Sequence, residues 1–323
     1  CPMNSVTPSS AAARLNASCR CDSLDRERLA AELEQTTPGF YRQVIEGRPH
    51  LFSEAMVFVG ARDVARMAAL AKAMETVIAL PAYRQQVLAW APATARQAVA
   101  ARGVFLGYDF HLGAQGPQLI EINTNAGGGL LNAVLARAQR VCCDAVRAVL
   151  PGDLGGRSPD QFFADMFRAE WRLARGDAPL RTIAIVDDDP EAQFLYPEFE
   201  LFRQLFLHHG YRAWICDPSA LECREGKLWL EGEPVDLVYN RLTDFALTEP
   251  RHQALAAAWR QDAAVITPHP AAHALYADKR NLALLSDGDA LKAMGVDDEI
   301  AGLLMAGIPR TCLLYTSPSP RDQ

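Results

Sequence analysis

Two carboxylates and an amide stand where they could hold a cation. The stretch Val104-Phe-Leu-Gly-Tyr-Asp-Phe-His111, a turn at Gly113-Ala-Gln-Gly-Pro117 and Gln118-Leu-Ile-Glu-Ile-Asn-Thr124 read as an antiparallel hairpin. Side chains alternate along a strand, so Glu121 and Asn123 share one face while Ile120 and Ile122 share the other. A turn over 113–117 pairs His111 with Leu119, Phe110 with Ile120 and Asp109 with Glu121. Asp109, Glu121 and Asn123 then converge, and Phe110, Ile120 and Ile122 are left for the core. Facing carboxylates roughly 5 Å apart repel by about 3 kcal/mol at an effective dielectric constant of ~20. A hard divalent cation resolves that repulsion: two carboxylates and an amide oxygen suit Mg2+, with its remaining positions left to phosphates. The spacing alone equally admits a solvated polar face with Asn-Ala-Gly as plain turn residues.

The elements around this hairpin change character along the chain. From Leu24 to about Ala101 the pattern is helical, broken at Pro38-Gly39, Pro49 and Pro81. After the hairpin, Gly127-Gly-Gly129 leads into a helix reaching Leu150, and Gly152, Gly155, Gly156 and Pro159 mark a linker. A helix over about 160–175 precedes Ile183-Ala-Ile-Val186, a continuously apolar run expected of a strand buried on both faces. There follow a helix at 194–209, a strand at 213–216, a small hairpin from Lys227 around Glu231-Gly232, a strand at 236–239, a helix at 249–261, a strand at 264–267 and a helix at 271–286. Strands alternating with helices predict a mostly parallel, doubly wound sheet. Asp187-Asp-Asp189, after its first strand, is acidic enough to suggest a second metal, but a solvated loop that caps the following helix is the preferred reading.

Composition sets outer limits. The chain has 323 residues, half of them apolar, and a net charge of −7 from 32 basic and 39 acidic groups. That length suggests about two domains. With no Lys/Arg block there is no electrostatic footprint for nucleic acid or an anionic membrane, and no apolar run is long enough to span a bilayer. The eight cysteines include Cys19/Cys21, Cys142/Cys143 and Cys216/Cys223, none in zinc-type Cys-x-x-Cys spacing. Reduced thiols in a cytoplasmic protein are expected.

Glu121-Ile-Asn123-Thr124-Asn125-Ala126-Gly127, with an acidic residue twelve positions earlier at Asp109, resembles the Mg2+-binding hairpin of ATP-grasp ligases. The hairpin here precedes the βαβ region, and that permuted order resembles the eukaryotic-type glutathione synthetases. The resemblance implies an α/β (α+β) fold of circularly permuted ATP-grasp type: a helical amino-terminal region with the metal hairpin, then a Rossmann-like substrate domain, then the start of a second grasp segment. The corresponding blocks are 24–150, 160–275 and 276–311, after an unstructured lead-in at 1–23. It further implies ATP and Mg2+ as cofactors, with Asp109, Glu121 and Asn123 as metal ligands. Arg241, which closes a strand after the Lys227–Leu230 hairpin, is implied as the catalytic and substrate-gripping arginine. Glu191 and Gln193 fall near substrate-contacting positions, and Lys279 and Ile120 near the nucleotide.

Other positions depart from the family. Gly107 stands where a substrate-binding arginine is expected, Asn125-Ala-Gly-Gly-Gly129 replaces two substrate-binding serines, and Asp244 replaces a tyrosine. No Lys-Pro followed by a Gly-rich phosphate loop occurs between Lys279 and Thr311. The end of the chain, Cys312-Leu-Leu-Tyr-Thr-Ser-Pro-Ser-Pro-Arg-Asp322, resembles the conceptual translation of a transposase sequencing adapter, so 312–323 is expected to be adapter-derived and the chain an amino-terminal fragment. The parent is expected to be an ATP-dependent ligase joining a small-molecule carboxylate to an amine, with a homodimer as its assembly and the fragment itself inactive. The alternative is a non-catalytic small-molecule or nucleotide-binding module on the same fold. A dinucleotide oxidoreductase fits poorly, because no Gly-x-Gly-x-x-Gly follows Ile183–Val186.

Overall fold

Helix gives way to strand where the apolar period falls from about three and a half residues to two. The computed structural model describes residues 11–18, 24–36, 38–48, 50–138 and 158–311. Ala11–Ser18 is helical, where an unstructured lead-in was expected; three consecutive alanines favour that outcome. The rest of the lead-in, the expected continuation to Leu150 with Cys142 and Cys143, the expected linker before Ser158 and the tail at 312–323 lie outside the described residues.

The hairpin strands are Gly107–Gly113 (β1) and Gly116–Asn123 (β2). Thr182–Val186 (β3) and Arg212–Cys216 (β4) follow, then Leu221–Arg224 (β5), Lys227–Leu230 (β6) and Glu233–Val235 (β7), and finally Leu237–Asn240 (β8) and Val265–Thr267 (β9). The main sheet is four-stranded in the order β4-β3-β8-β9, and every pairing in it is parallel. All residues of β3 and β8 are buried, which accounts for their unbroken apolar runs. The small hairpin gains a third strand that the sequence pattern did not reveal, β5, joined to β6 through Glu225-Gly226. Glu225, Gly226, Glu231 and Gly232 all have positive φ, as tight two-residue turns between antiparallel strands require.

The described residues form two compact units. One is drawn from Cys1–Ala61, Val99–Phe105 and Asn125–Pro268, the other from Arg62–Ala98, Leu106–Thr124 and His269–Gln323. Each core therefore combines distant segments, and neither coincides with the sequential blocks 24–150 and 160–275. The physical reason lies in the apolar faces. Helices Arg26–Thr36 and Gly129–Ala138 share the core of the parallel sheet, whereas helices Ala61–Ile78 and Pro81–Trp90 share a core with β2 and residues 275–308.

In the first unit, helices Pro159–Arg175 and Tyr196–His208 pack on the sheet through an aromatic cluster. Phe167 lies 4.9 Å from both Phe206 and Tyr239, and Phe202 lies 5.0 Å from Tyr239, all close to edge-on. Buried Glu170 ties the 99–105 segment to this core. Its carboxylate accepts from the Arg102 and Gly103 amides at 3.0 and 2.8 Å and from the Thr267 hydroxyl at 2.9 Å. In the second unit, Leu70, Ala73, Met74, Val77 and Ile78 form one helical stripe facing the core. Tyr83 donates from its buried hydroxyl to the Leu275 carbonyl at 2.9 Å. No helix among the described residues is long and apolar enough to cross a membrane.

Phe202 is fully buried at the centre of the aromatic cluster. Phe202→Ala is expected to cost about 3–5 kcal/mol, read as a lower urea midpoint. A loss below about 1 kcal/mol would mean that the cluster closes over the cavity.

Candidate functional site

The hairpin keeps Asp109 opposite Glu121, although the turn differs from the one expected. Gly113 pairs with Gly116 around Ala114-Gln115, so the turn has two residues rather than five, and Gly116 takes a φ of 97°. Phe110 consequently pairs with Leu119 and His111 with Gln118. A bulge between Asp109 and Phe110 restores the register, and Ile120 is the extra residue. Ile120 is thereby turned outward, 52% exposed, instead of joining the core; Pro117, Leu119 and Ile122 are the buried residues of β2. Asn123 donates from Nδ2 to Asp109 Oδ2 at 3.4 Å, which brings all three predicted ligands together. Among the described residues no arginine, lysine or histidine forms an ion pair with Asp109 or Glu121. Two opposed carboxylates without a protein counter-charge, beside an amide oxygen, fit a hard divalent cation.

Lys279 belongs to the same unit. It opens the helix Lys279–Leu285, after a break at Asp278 that interrupts the continuous helix expected over 271–286. Asp278 caps that helix by accepting from the Arg280 amide at 2.9 Å and pairs with the Arg280 guanidinium. Lys279 itself is exposed.

The second cluster lies in the other unit, at the carboxyl ends of β3 and β8. The chain leaves β3 for β4 on one side, while β8 and β9 lie on the other, so β3 and β8 flank the point where the strand order reverses. Open parallel sheets bind ligands at such points, beyond the strand ends. Asp187 and Arg241 are the residues after the paired termini Val186 and Asn240, and the Arg241 amide donates to the Val186 carbonyl at 2.8 Å. Arg241 is 6% exposed. Its Nη1 donates to the Ala126 carbonyl at 2.7 Å and to the Tyr239 hydroxyl at 3.3 Å, while its Nε is buried with no hydrogen-bond partner. Gly127 permits this close approach, since a Cβ there would lie 3.0 Å from Arg241 Nη2 and 2.3 Å from Leu195 Cδ1. Glu198, fully buried, accepts from the Gly128 and Leu130 amides at 2.7 and 3.0 Å and so neutralises the amino terminus of helix Gly129–Ala138. Burial pushes the Glu198 carboxyl above its ordinary range, against the opposing effect of those amides and of Arg241.

Asp187 corrects the expectation of a solvated post-strand loop. It is 9% exposed, and burial raises its pKa to about 6 despite the Asp188 amide and the nearby Arg241, which favour its ionised form. Asp188 is half-buried and engages His252 rather than capping the next helix. Gln193 donates from Nε2 to the Asp188 carbonyl at 2.6 Å, and Glu191 is exposed on a short turn. Glu191 also borders a notch of about 200 Å³ shared with Tyr196, Glu200, Arg203 and Trp214. Glu198 and His252 carry no distinguishing signal in the sequence; the signal available for Asp187 is its place directly after the first buried parallel strand.

No family model matches the sequence, and no curated protein matches it. Among solved structures, a glutathione synthetase-like effector from Globodera pallida in its apo form is similar, with a TM-score of 0.52 at 13% identity over 77% of this chain. The likeness is one of fold: the chain has a glutathione synthetase-like, mixed α/β architecture. The match covers 61% of the effector's own length.

The raised Asp187 pKa makes a signed prediction. Between the unfolded value near 4 and about 6 the native state holds more protons than the unfolded state, so stability present below pH 4 is lost as pH rises to about 6. The full difference is on the order of 3 kcal/mol. Asp187→Asn is expected to flatten the denaturant-derived stability profile across that window; an unchanged profile would show that Asp187 titrates normally.

Proposed function

We propose that this chain is the metal-hairpin and acid-binding portion of an ATP-dependent carboxylate–amine ligase of the circularly permuted ATP-grasp type. The observation that carries this reading is the opposition of Asp109 and Glu121 beside Asn123, uncompensated by any ion pair among the described residues. Asp109, Glu121 and Asn123 would hold Mg2+, which when bound neutralises charge on the nucleotide phosphates. Lys279, in the same unit, would meet the nucleotide, and the outward-turned Ile120 offers it an apolar contact. In the other unit, Arg241 would orient the acid. Its buried Nε, which lacks an acceptor, supports that role, because a substrate carboxylate would supply one. Glu191 and Gln193 would border the same substrate.

In this chemistry a carboxylate oxygen attacks the γ-phosphorus of ATP, ADP departs, and an acyl-phosphate forms. The amine then attacks the acyl carbon, and phosphate and a proton leave. The phosphate-gripping Lys-Pro and Gly-rich loop would come from sequence beyond Thr311. The altered positions Gly107, Asn125 and Asp244 argue for substrates other than those of glutathione synthesis. A second reading, a non-catalytic binding module on the same fold, is favoured by the enclosure of Arg241 under the Ala126 carbonyl.

The test is release of ADP by the protein extended beyond Thr311, screened against panels of acids and amines. Release is expected only with Mg2+ and a matched pair, and Glu121→Ala is expected to reduce it by about a hundredfold or more. Full turnover by that variant would refute the metal assignment, and an extended protein that binds an acid but never releases ADP would establish the binding module.

A further inference from the structure

Beside the switch point, in the same unit, lies a cluster that the proposed ligase chemistry does not use. Asp188, Glu249 and His252 each present a potential ligand atom, and these atoms all lie within 4.8 Å of one another. His252 is fully buried, Asp188 is half-buried and Glu249 is exposed, so the cluster opens to solvent on one side.

The hydrogen bonding of Asp244 determines what His252 can do. Asp244 accepts from the Thr248 and Glu249 amides at 2.6 and 2.8 Å, and it also faces His252 Nδ1 at 2.9 Å. A carboxylate held by amide donors stays ionised and can only accept, so Nδ1 must carry a hydrogen. In a neutral ring, Nε2 then turns a lone pair toward Asp188 Oδ1, 2.9 Å away. Lone pair against carboxylate is repulsive unless a cation lies between them. That cation is either a proton, giving an imidazolium, or a metal ion. A histidine fixed through its far nitrogen by a carboxylate is the usual support for a metal-bound imidazole.

We propose that Asp188, Glu249 and His252 bind a borderline divalent transition ion of the Zn2+ type, with His252 Nε2 and one oxygen from each carboxylate as protein ligands and water completing the shell. Mixed imidazole and carboxylate donors select such ions over Mg2+ or Ca2+. Metal entry releases the Nε2 proton to solvent. Zinc bonds of about 2.0–2.2 Å in tetrahedral geometry set nitrogen and oxygen ligands about 3.3 Å apart, so Asp188 moves outward by a few tenths of an ångström. Arg251 is the competing cation, with Nε 3.2 Å from Asp188 Oδ1. Its Nη2 already pairs with Asp217 at 2.7 Å and lies 3.5 Å from Asp189, so it keeps partners when it cedes Asp188. The site is independent of the ligase reading and stands or falls by itself.

The experiment is titration of the whole chelator-treated chain with Zn2+ by calorimetry and with Co2+ by absorption at neutral pH. One histidine-dependent equivalent is expected to bind, with cobalt d–d bands of a four- or five-coordinate nitrogen and oxygen site. His252→Gln is expected to abolish those bands. Glu249→Gln, on an exposed side chain and therefore without effect on folding, is expected to weaken binding by at least about tenfold. Asp244→Asn, which removes the carboxylate behind the imidazole, is expected to cost about 10–100-fold. Absence of binding, affinity unchanged by Glu249→Gln, or a sulfur-to-cobalt charge-transfer band placing the ion on cysteine would each overturn the proposal.

Discussion

The parallel pairing of β3 with β8 is the constraint on which the buried site depends. Register aligns Val186 with Asn240, so the next residue of each strand, Asp187 and Arg241, must emerge side by side at the carboxyl edge of the sheet. Both strands are buried on both faces, and charged groups at their ends are therefore taken out of water unless a ligand or another protein group meets them. The surroundings meet them only in part. The Ala126 carbonyl and the Tyr239 hydroxyl accept from one guanidinium nitrogen, and the bare backbone of Gly127 leaves room for the rest. Arg241 Nε is left over, and Asp187 is pushed toward its neutral form. A fold that retains such groups at a strand-order reversal keeps them at a cost in stability, and chemistry is the usual reason for that.

A different constraint governs the hairpin. Two carboxylates can face one another across a ladder only if the register holds, and a two-residue turn by itself would have put it out by one. The bulge at Ile120 restores it, at the expense of exposing an isoleucine. The hairpin shares its core with the 275–308 segment, through Leu119 and Ile122 against Leu275, Leu285 and Leu304. The elements assigned to metal and nucleotide thus belong to one unit, and those assigned to the acid belong to the other.

Carboxylates withdrawn from solvent do much of the local ordering in the first unit. Glu170 gathers the amides of Arg102 and Gly103, Glu198 gathers those of Gly128 and Leu130, and Asp244 gathers those of Thr248 and Glu249. Each satisfies backbone donors that a loop would otherwise leave unpaired. Each is also a lone acidic residue in sequence, with no spacing that distinguishes it from a solvated one. This is why Glu198, Asp244 and the imidazole that Asp244 fixes carry no signal in the sequence, whereas strand alternation puts Glu121 and Asn123 on one face.

By itself, the sequence determined the features that depend on short-range periodicity. The strands at 182–186, 212–216 and 237–240, the helices at 196–208 and 253–261 and the shared face of Glu121 and Asn123 all arise from alternation or helical spacing within a few residues. Tertiary structure alone decided which segments share a core, that Ile120 leaves it, that Asp187 is buried rather than solvated, and that Asp188, Asp244 and His252 meet across 64 residues of chain. The reason is that burial and electrostatic partnership come from non-local packing. An acidic residue carries the same letter in water and in a core, and only its neighbours in space decide whether it remains a charge, a cap or a ligand.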